Sequence, residues 1–216
     1  MLRDAASSIP DMLQRDEMAG PSYLHRIPLV RWVFWRRLEV VAELLAAHAD
    51  RHEAGLDFGC GLGVLLPTLS SFTTSVYATD LELRPARQIV AAMEIPNVEF
   101  VVPETLQGRI TPRSLDYVVS TDVLEHVDDL PAIVDQIASL LRPGGCLIIS
   151  GPTESFVYRM SRVLAGFGGK GDYHHTDIHR IHDVVTATRA FQTAARRILP
   201  IPNVVEGFYI YAYKKS

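Results

Sequence analysis

An acid followed by three glycines at alternate positions is the part of this sequence best suited to hold a ligand. Asp57 ends an apolar stretch, and Gly59, Gly61 and Gly63 follow it. Glycine has no Cβ, so such a loop can turn sharply after a strand and bring its N–H groups close to a bound molecule. If residues 64–71 form a helix, the loop lies at the carboxyl edge of a sheet, where open α/β folds bind nucleotides. Considered alone, the same glycines also fit a plain turn without a ligand.

The glycine spacing differs from that of the dinucleotide-binding fingerprint. The fingerprint G-x-G-x-x-G, counted from Gly59, requires glycine at position 64, where the chain has Val64. Asp57 also stands just before the loop, where its carboxylate could hold an ammonium group. Both features disfavour a nicotinamide-dependent dehydrogenase.

Three later segments continue the pattern. Residues 75–80 are a β-rich run that ends in Asp80, about twenty residues past the glycines, where an acid can accept hydrogen bonds from a ribose diol. Residues 115–127 read as a strand and the turn that follows it. Residues 140–150 read as a helix end, a Pro-Gly-Gly turn and another strand. With these motifs in this order, the sequence from about Arg36 onward resembles the class I S-adenosylmethionine-dependent methyltransferases.

The element pattern and the resemblance predict an α/β fold. Alternating strands and helices favour parallel pairing with right-handed crossovers, and the short connection 200–203 requires the last two strands to pair antiparallel. The resemblance implies a Rossmann-like, seven-stranded sheet of order 3-2-1-4-5-7-6, with the last strand antiparallel and helices on both faces. We predict a single methyltransferase domain over 1–216, with a helical arm over 1–48 and a lid-like insert over 151–175. The predicted strands are 54–58, 75–79, 98–102, 115–120, 145–150, 191–199 and 206–214, and the predicted helices are 28–48, 62–71, 83–93, 129–141 and 176–189.

Composition excludes several other classes of protein. The 216 residues are 48% hydrophobic and 21% charged, as in ordinary globular enzymes, and the net charge of −4 argues against binding to nucleic acid. Two cysteines indicate a reduced, cytoplasmic setting rather than a disulfide framework. We expect no signal peptide and no membrane span, while peripheral contact with a membrane stays open. The expected partner is a small-molecule acceptor, and the expected state is a monomer or a homodimer.

The resemblance implies S-adenosylmethionine as the cofactor and assigns its parts to particular residues. Asp57 would anchor the amino group, Asp80 the ribose hydroxyls, and Leu81 one face of the adenine. Glu104 would contact the adenine amine, and Asp122 would face the methionine moiety. Alternatively, Asp80 and Glu104 are solvated acids and Asp122 caps the next helix. The predicted cofactor-binding residues are Asp57, Gly59, Cys60, Gly61, Gly63, Asp80, Leu81, Glu104, Ser120 and Asp122.

The turn after the fourth strand bears on the methyl acceptor. The run 123–127, Val-Leu-Glu-His-Val, resembles the methyltransferases that act on small molecules in quinone and natural-product biosynthesis. Enzymes acting on amide or exocyclic amino nitrogens usually have Asn/Asp-Pro-Pro-aromatic there. We therefore favour O-methylation of a small, hydroxylated and largely apolar metabolite. The alternatives are C- or N-methylation of a small or lipid-like acceptor, or a non-catalytic regulatory protein that binds S-adenosylmethionine.

A general base would be needed to take the proton from an acceptor hydroxyl. Histidines are concentrated in 172–182, between the fifth strand and the next helix, where the family lines its acceptor pocket. We predict His174 or His175 as the base, with His126 as a third candidate. These histidines could instead be surface groups, and a metal site is disfavoured because the cluster lacks a recognised ligand spacing.

Apolar residues on two segments could enclose the acceptor. The stripe in 156–167 has the period of a helix, and the glycines of 166–171 would allow a hinge. This helix could act as a lid, touch a membrane surface, or pack on the core. N-terminal aromatic residues could complete the pocket from the other side. The predicted pocket residues are Tyr23, Trp32, Phe156, Met160 and His179.

Overall fold

The computed structural model describes residues 23–153, 176–201 and 205–216. A helix comes first, and strands and helices then alternate along the chain. The helices are α1 (Pro28–His48), α2 (Leu66–Phe72), α3 (Arg84–Ala92), α4 (Leu106–Arg109), α5 (Leu130–Leu140) and α6 (Ile178–Ala187). The strands are β1 (Ala54–Phe58), β2 (Ser75–Thr79), β3 (Val98–Phe100), β4 (Leu115–Thr121), β5 (Leu141–Pro152), β6 (Phe191–Ile201) and β7 (Val205–Lys215).

The seven strands form one sheet of order β3-β2-β1-β4-β5-β7-β6. Strands β1 to β5 pair in parallel, and β7 pairs antiparallel with both β5 and β6. The carboxyl ends of β1, β2 and β4 therefore meet at one edge of the sheet, each followed by a loop. The predicted strand order and the antiparallel last strand are confirmed.

The sheet carries a hydrophobic layer on each face, because side chains alternate along every strand. On one face, α1 packs with Leu38, Val41 and Leu45 over a layer that includes Ile210 and Ala212 of β7. On the other face, α5 and α6 cover a second layer, with Ile178, Ile181 and Val185 of α6 lying near Tyr211 and Tyr213. Helices α1 and α6 thus lie on opposite faces of the sheet, so the site residues that they carry lie on opposite faces too.

Several element boundaries differ from those predicted. Helix α2 begins at Leu66 rather than near 62, since the glycine loop extends further, and β3 ends at Phe100. Strand β5 begins at Leu141 instead of 145. Its register with β4 shifts between Leu141 and Cys146, and Gly144 in that stretch has φ +74°. The Pro-Gly-Gly segment is therefore an irregularity within the strand rather than a separate turn.

Helix α6 is described from its N-cap onward, whereas parts of the predicted arm and insert are not described. Helix α6 begins at Ile178 with Asp177 as its N-cap, whose carboxylate accepts hydrogen bonds from the N–H groups of His179 and Arg180. Residues 1–22 of the predicted arm and residues 154–175 of the predicted insert lie outside the described residues. Within the described ranges, no helix is long and apolar enough to cross a membrane.

Candidate functional site

The glycine loop folds back onto the end of β2. The N–H groups of Gly59 and Cys60 donate to the carbonyl of Thr79 at 2.8 and 3.0 Å, and the N–H of Gly63 donates to the carbonyl of Cys60 at 2.7 Å. The N–H of Gly61 donates to Oδ2 of Asp80 at 2.7 Å. The N–H groups of Gly59, Cys60, Gly61 and Gly63 thus all bond within the protein in this structure. The loop instead leaves open space beside Gly61, because its glycines carry no side chains.

Asp57, the second-last residue of β1, is a buried acid. Its side chain is 1% exposed, and Oδ1 has no hydrogen-bond partner among the described residues. Burial, with a smaller contribution from the charge of Asp80, raises the pKa of Asp57 from 3.8 to about 7. An acid held in this way is stabilised in its ionised form by a nearby cation, so Asp57 is suited to an ammonium group.

Asp80 connects the end of β2 to the glycine loop and to a cleft. While Oδ2 accepts from Gly61, Oδ1 accepts from the N–H of Glu82 at 3.3 Å. A carboxylate has about four acceptor sites, so this one can still accept from a ligand hydroxyl. The cleft beside it has a volume of about 380 Å³. Its lining residues are Asp80, Leu81, Glu82, Leu83, Arg84, Arg87, Val102, Pro103 and Glu104.

Two apolar side chains stand exposed on the walls of this cleft. Leu81 follows β2 and is 92% exposed, and Val102 follows β3 and is 46% exposed. Exposed apolar side chains on facing segments suit a flat ring bound between them. Glu104 is exposed at the same cleft, as its predicted contact requires. Sequence reasoning missed Val102 because the predicted strand 98–102 included it, whereas β3 ends at Phe100.

A buried ion pair joins α1 to the turn after β4. Nη1 of Arg37 donates to Oδ2 of Asp122, and Nη2 donates to the hydroxyl of Tyr23 at 3.2 Å. The guanidinium also lies over the rings of Phe34 and Phe208, at 5.1 and 4.9 Å. The Arg37 side chain is 3% exposed and that of Asp122 is 26% exposed. These residues lie beside the carboxyl end of β4, and we call them the Arg37 cluster: Tyr23, Phe34, Arg37, Asp122 and Phe208.

Asp122 does not act as a helix cap. The short 3₁₀ helix that follows, Leu124–His126, has Val123 at its N-cap and no side-chain cap bond, and α5 is capped by Asp129. Asp122 has φ +56°, and its N–H donates to the carbonyl of Ser150 at 2.9 Å, which holds the turn after β4 against β5. The capping alternative is therefore wrong. Oδ1 of Asp122 and Nε of Arg37 are buried without a partner in the described part of the chain, so a polar ligand can still bond to them.

Ser120 lies on a different face from Asp57. Asp57 pairs with Val119, so the side chains of these two residues share a face and that of Ser120 points to the opposite one. Ser120 is fully buried, and its hydroxyl has no partner among the described residues. A contact of Ser120 with the ligand of Asp57 would have to be made around the end of the strand.

The candidate catalytic histidines are only partly described. His174 and His175 lie outside the described residues. His126 is exposed on the 3₁₀ helix after β4. His182 is part of the packing: its Nδ1 lies 2.8 Å from the Tyr213 hydroxyl, its ring stacks on Tyr211 at 4.4 Å, and burial lowers its pKa.

The residues of the predicted acceptor pocket are only partly described. Tyr23 belongs to the Arg37 cluster and is 5% exposed, while Trp32 is 43% exposed on α1. His179 lies on α6, with its ring 4.8 Å from that of Tyr209, on the opposite face of the sheet. A pocket lined by His179 together with Tyr23 and Trp32 would therefore have to extend around the edge of the sheet. Phe156 and Met160 lie outside the described residues.

In the described ranges, no group of three or more His, Cys, Asp and Glu side chains is arranged to hold a metal ion.

Substitutions at two glycines should separate folding from ligand binding. Both have positive φ, +49° at Gly61 and +77° at Gly63. A Cβ at Gly61 meets no atom within 4 Å, whereas one at Gly63 would lie 2.9 Å from Cα of Ala86. We expect Gly61→Ala to cost only about 1 kcal/mol of stability and to weaken ligand binding at least tenfold if the open space is the site. Gly63→Ala should destabilise the fold further, and urea unfolding with ligand titration of both variants measures the difference. Equal ligand affinity of Gly61→Ala and wild type would place the ligand elsewhere.

Known proteins resemble this chain in sequence. Residues 30–193 match the family model described as a methyltransferase domain. The chain is 36% identical over 118 residues to a ubiquinone biosynthesis O-methyltransferase of Xanthomonas campestris pv. campestris, covering 53% of this chain and 48% of that protein. It is 33% identical over 100 residues to the protein of the same name from Cupriavidus pinatubonensis, covering 44% and 39%. The chain thus spans about half the length, or less, of the curated relatives it matches.

Solved structures share the fold over nearly the whole chain. The crystal structure of the N-methyltransferase NodS from Bradyrhizobium japonicum WM9 in complex with S-adenosyl-L-homocysteine has a TM-score of 0.68 at 18% identity, covering 98% of both chains. The PH0226 protein from Pyrococcus horikoshii OT3 has a TM-score of 0.71 at 18% identity, covering 96% of this chain and 99% of that one. The predicted fold is confirmed. Since the family model covers more than half of the chain, this protein belongs to the methyltransferase domain family, in the class that uses S-adenosylmethionine as its cofactor.

Proposed function

We propose that this protein transfers a methyl group from S-adenosylmethionine to a hydroxyl of a small, largely apolar metabolite. The observation that carries the proposal is the set of groups at one edge of the sheet. Asp57, near the end of β1, is a buried acid whose Oδ1 has no partner among the described residues. Asp80 directly follows β2, and a cleft of about 380 Å³ adjoins it. When bound, the cofactor supplies a methyl group that is already activated by its sulfonium.

Each part of the cofactor has a suitable group at this edge. Asp57 offers an acceptor for the ammonium group, and Asp80 offers free acceptor sites for the ribose hydroxyls. Leu81 and Val102 offer apolar surface for the adenine, and Glu104 offers an acceptor for its amine. These residues bind and orient, and orientation is the main requirement of the transfer, since proximity can contribute roughly 7–11 kcal/mol.

The choice of a hydroxyl acceptor rests on the relatives. The proteins that match at 33–36% identity are named ubiquinone biosynthesis O-methyltransferases. A base is then needed for the hydroxyl proton, and we propose His174 or His175 first and His126 third. We assign no such role to His182, whose ring stacks on Tyr211 and whose Nδ1 lies 2.8 Å from the Tyr213 hydroxyl. Both cysteines are free and buried, which supports a reduced, cytoplasmic setting.

Calorimetric titration of S-adenosylmethionine and S-adenosyl-L-homocysteine tests the cofactor site. We expect Asp80→Asn to retain an acceptor for the Gly61 N–H and to bind the cofactor roughly five- to hundredfold more weakly, as the loss of 1–3 kcal/mol predicts. Asp80→Ala should lose the loop bond as well and bind still more weakly. Asp135→Asn, an exposed acid on α5, is the matched control. Binding that is unchanged in both Asp80 variants would contradict the assignment.

A transfer assay separates the remaining alternatives. Wild type is mixed with S-adenosylmethionine and hydroxylated acceptors of graded hydrophobicity, and release of S-adenosyl-L-homocysteine is measured. Methylation at oxygen, carbon or nitrogen is then read from the product by NMR. Cofactor binding without transfer to any acceptor would favour the regulatory alternative.

A further inference from the structure

Exposed apolar side chains cluster at the start of α1. Seven large hydrophobic residues are exposed in the described ranges; two of them, Leu81 and Val102, lie in the cofactor cleft, and Ile201 stands alone on β6. The other four fall within nine residues of one another. They form what we call the N-terminal patch: Leu24 (36% exposed), Ile27 (39%), Leu29 (64%) and Trp32 (43%).

The same segment carries an unbalanced positive charge. Residues 18–38 contain four arginines and no acid, in a chain whose net charge is −4. Arg36 pairs with Glu39 and Glu43, and Arg37 pairs with Asp122. The remaining two, Arg26 and Arg31, are exposed and have no acidic partner within the described part of the chain. Helix α1 also lacks an acid in its first turn, where a helix normally favours one.

The N-terminal patch lies close to the proposed site. Trp32 precedes Arg37 by five residues and Leu29 precedes it by eight, which is about 7.5 and 12 Å along a helix axis. Arg37 contacts Asp122 at the carboxyl end of β4, the edge that holds the cleft. The patch therefore borders the edge of the sheet at which a methyl acceptor would enter.

We propose that the N-terminal patch, with Arg26 and Arg31, docks on an anionic membrane surface. The apolar side chains enter the boundary of the acyl chains, and the two guanidinium groups contact lipid phosphates. Tryptophan is enriched at this boundary because its ring is amphipathic. The part of this inference that concerns the acceptor rests on the proposed function. An apolar acceptor partitions into the bilayer, and docking holds the entrance of the site next to the bilayer that contains the acceptor.

Charge favours a membrane over a second copy of the chain. In a symmetric dimer formed through the patch, the same surface would face itself. Arg26 and Arg31 of both copies would then approach one another with no acid in residues 18–38 to offset them. An anionic lipid surface has the complementary charge.

Vesicle flotation and tryptophan emission of the full chain test the proposal without any acceptor. Vesicles of phosphatidylcholine are compared with vesicles that also contain phosphatidylglycerol. The chain has two tryptophans; Trp35 is 5% exposed, so a change in emission on binding reports mainly on Trp32. We expect the protein to float with the anionic vesicles, its emission to shift to the blue, and added salt to weaken binding.

Two double variants test whether the N-terminal patch and its two arginines are the surface that binds the vesicles. Arg26→Gln with Arg31→Gln should weaken binding to the anionic vesicles roughly thirtyfold, from the loss of two cations near the surface. Ile27→Gln with Leu29→Gln should weaken it at least about tenfold. The matched control carries Arg197→Gln and Ile201→Gln, an exposed cation and an exposed apolar residue on β6, and should bind like wild type.

Three outcomes would overturn the proposal. The first is wild type that fails to bind anionic vesicles, and the second is patch variants that bind as well as wild type. The third is wild type that sediments as a dimer while Ile27→Gln with Leu29→Gln sediments as a monomer, which would make the patch a contact between copies. Cofactor titration without lipid is run in parallel, so that failure of docking and failure of the proposed function are distinguished.

Discussion

Replacing Asp122 with asparagine is expected to lower the free energy of unfolding by about 3 kcal/mol, the lower end of the range for breaking a buried ion pair. Arg37 is 3% exposed and would keep its charge without an acid partner among the described residues. The lower end applies because about a quarter of the Asp122 side chain is exposed. Asparagine tolerates the φ of +56° at this position, so backbone strain does not contribute to the loss. Urea unfolding at neutral pH measures the effect.

Two comparisons show whether the charge is responsible. Arg37→Met combined with Asp122→Asn should be more stable than Asp122→Asn alone, because no unpaired cation remains buried. The exposed pair of Arg51 and Glu53, at 54% and 71% exposure, is the matched control, and Glu53→Gln should cost no more than about 1 kcal/mol. If Asp122→Asn costs as little as the control, the ion pair does not stabilise the fold.

Replacing Asp57 with asparagine is expected to weaken cofactor binding and to stabilise the protein. The pKa of Asp57 is raised from 3.8 to about 7, mainly by burial. Its contribution to stability is therefore fully present below pH 3.8 and is lost as pH rises through 7, where the ionised form becomes buried. A neutral amide at this position would carry no such penalty, so the Asp57→Asn variant should be more stable than wild type at about pH 8. Without the carboxylate, it should bind S-adenosylmethionine roughly ten- to hundredfold more weakly.

Titrations across pH connect the two effects. Wild-type affinity should rise as pH increases towards about 7, as Asp57 ionises, and level off above that value. The affinity of the Asp57→Asn variant should be flat over the same range. Asp135→Asn should retain the wild-type profile, because that acid is exposed on α5. A wild-type affinity that does not depend on pH between about 5 and 8 would mean that Asp57 does not hold the cofactor in its ionised form.

Local patterns in the sequence predicted the elements and their pairing directions, and the resemblance to the methyltransferase family implied the strand order. Each parallel strand is a short apolar run followed by a turn and a helix, and this alternation determines how β1 to β5 pair. The brief connection after β6 allows only an antiparallel partner, which is how β7 pairs with β6. Asp57 was found because it precedes the glycine loop, and Asp80 because it directly follows a β-rich run.

Contacts between distant segments could not be predicted from one sequence. Arg37 and Asp122 are 85 residues apart, and no local pattern indicates that they meet. His179 was placed in the acceptor pocket from its position after the fifth strand, but the face that α6 covers depends on packing across the whole sheet. The glycine loop was expected to direct its N–H groups at a ligand, whereas the carbonyl of Thr79 and the carboxylate of Asp80 accept several of them.

The Arg37 cluster also has a consequence for any shortened or fused version of this protein. The family match begins at residue 30, yet Tyr23 supplies the hydroxyl that accepts from Arg37 and the carbonyl that accepts from the Trp35 indole at 3.1 Å. A chain trimmed to the matched boundary would lose both acceptors and leave two buried donors unsatisfied. The shortest chain that keeps these hydrogen bonds therefore starts before Tyr23, several residues before the start of the family match.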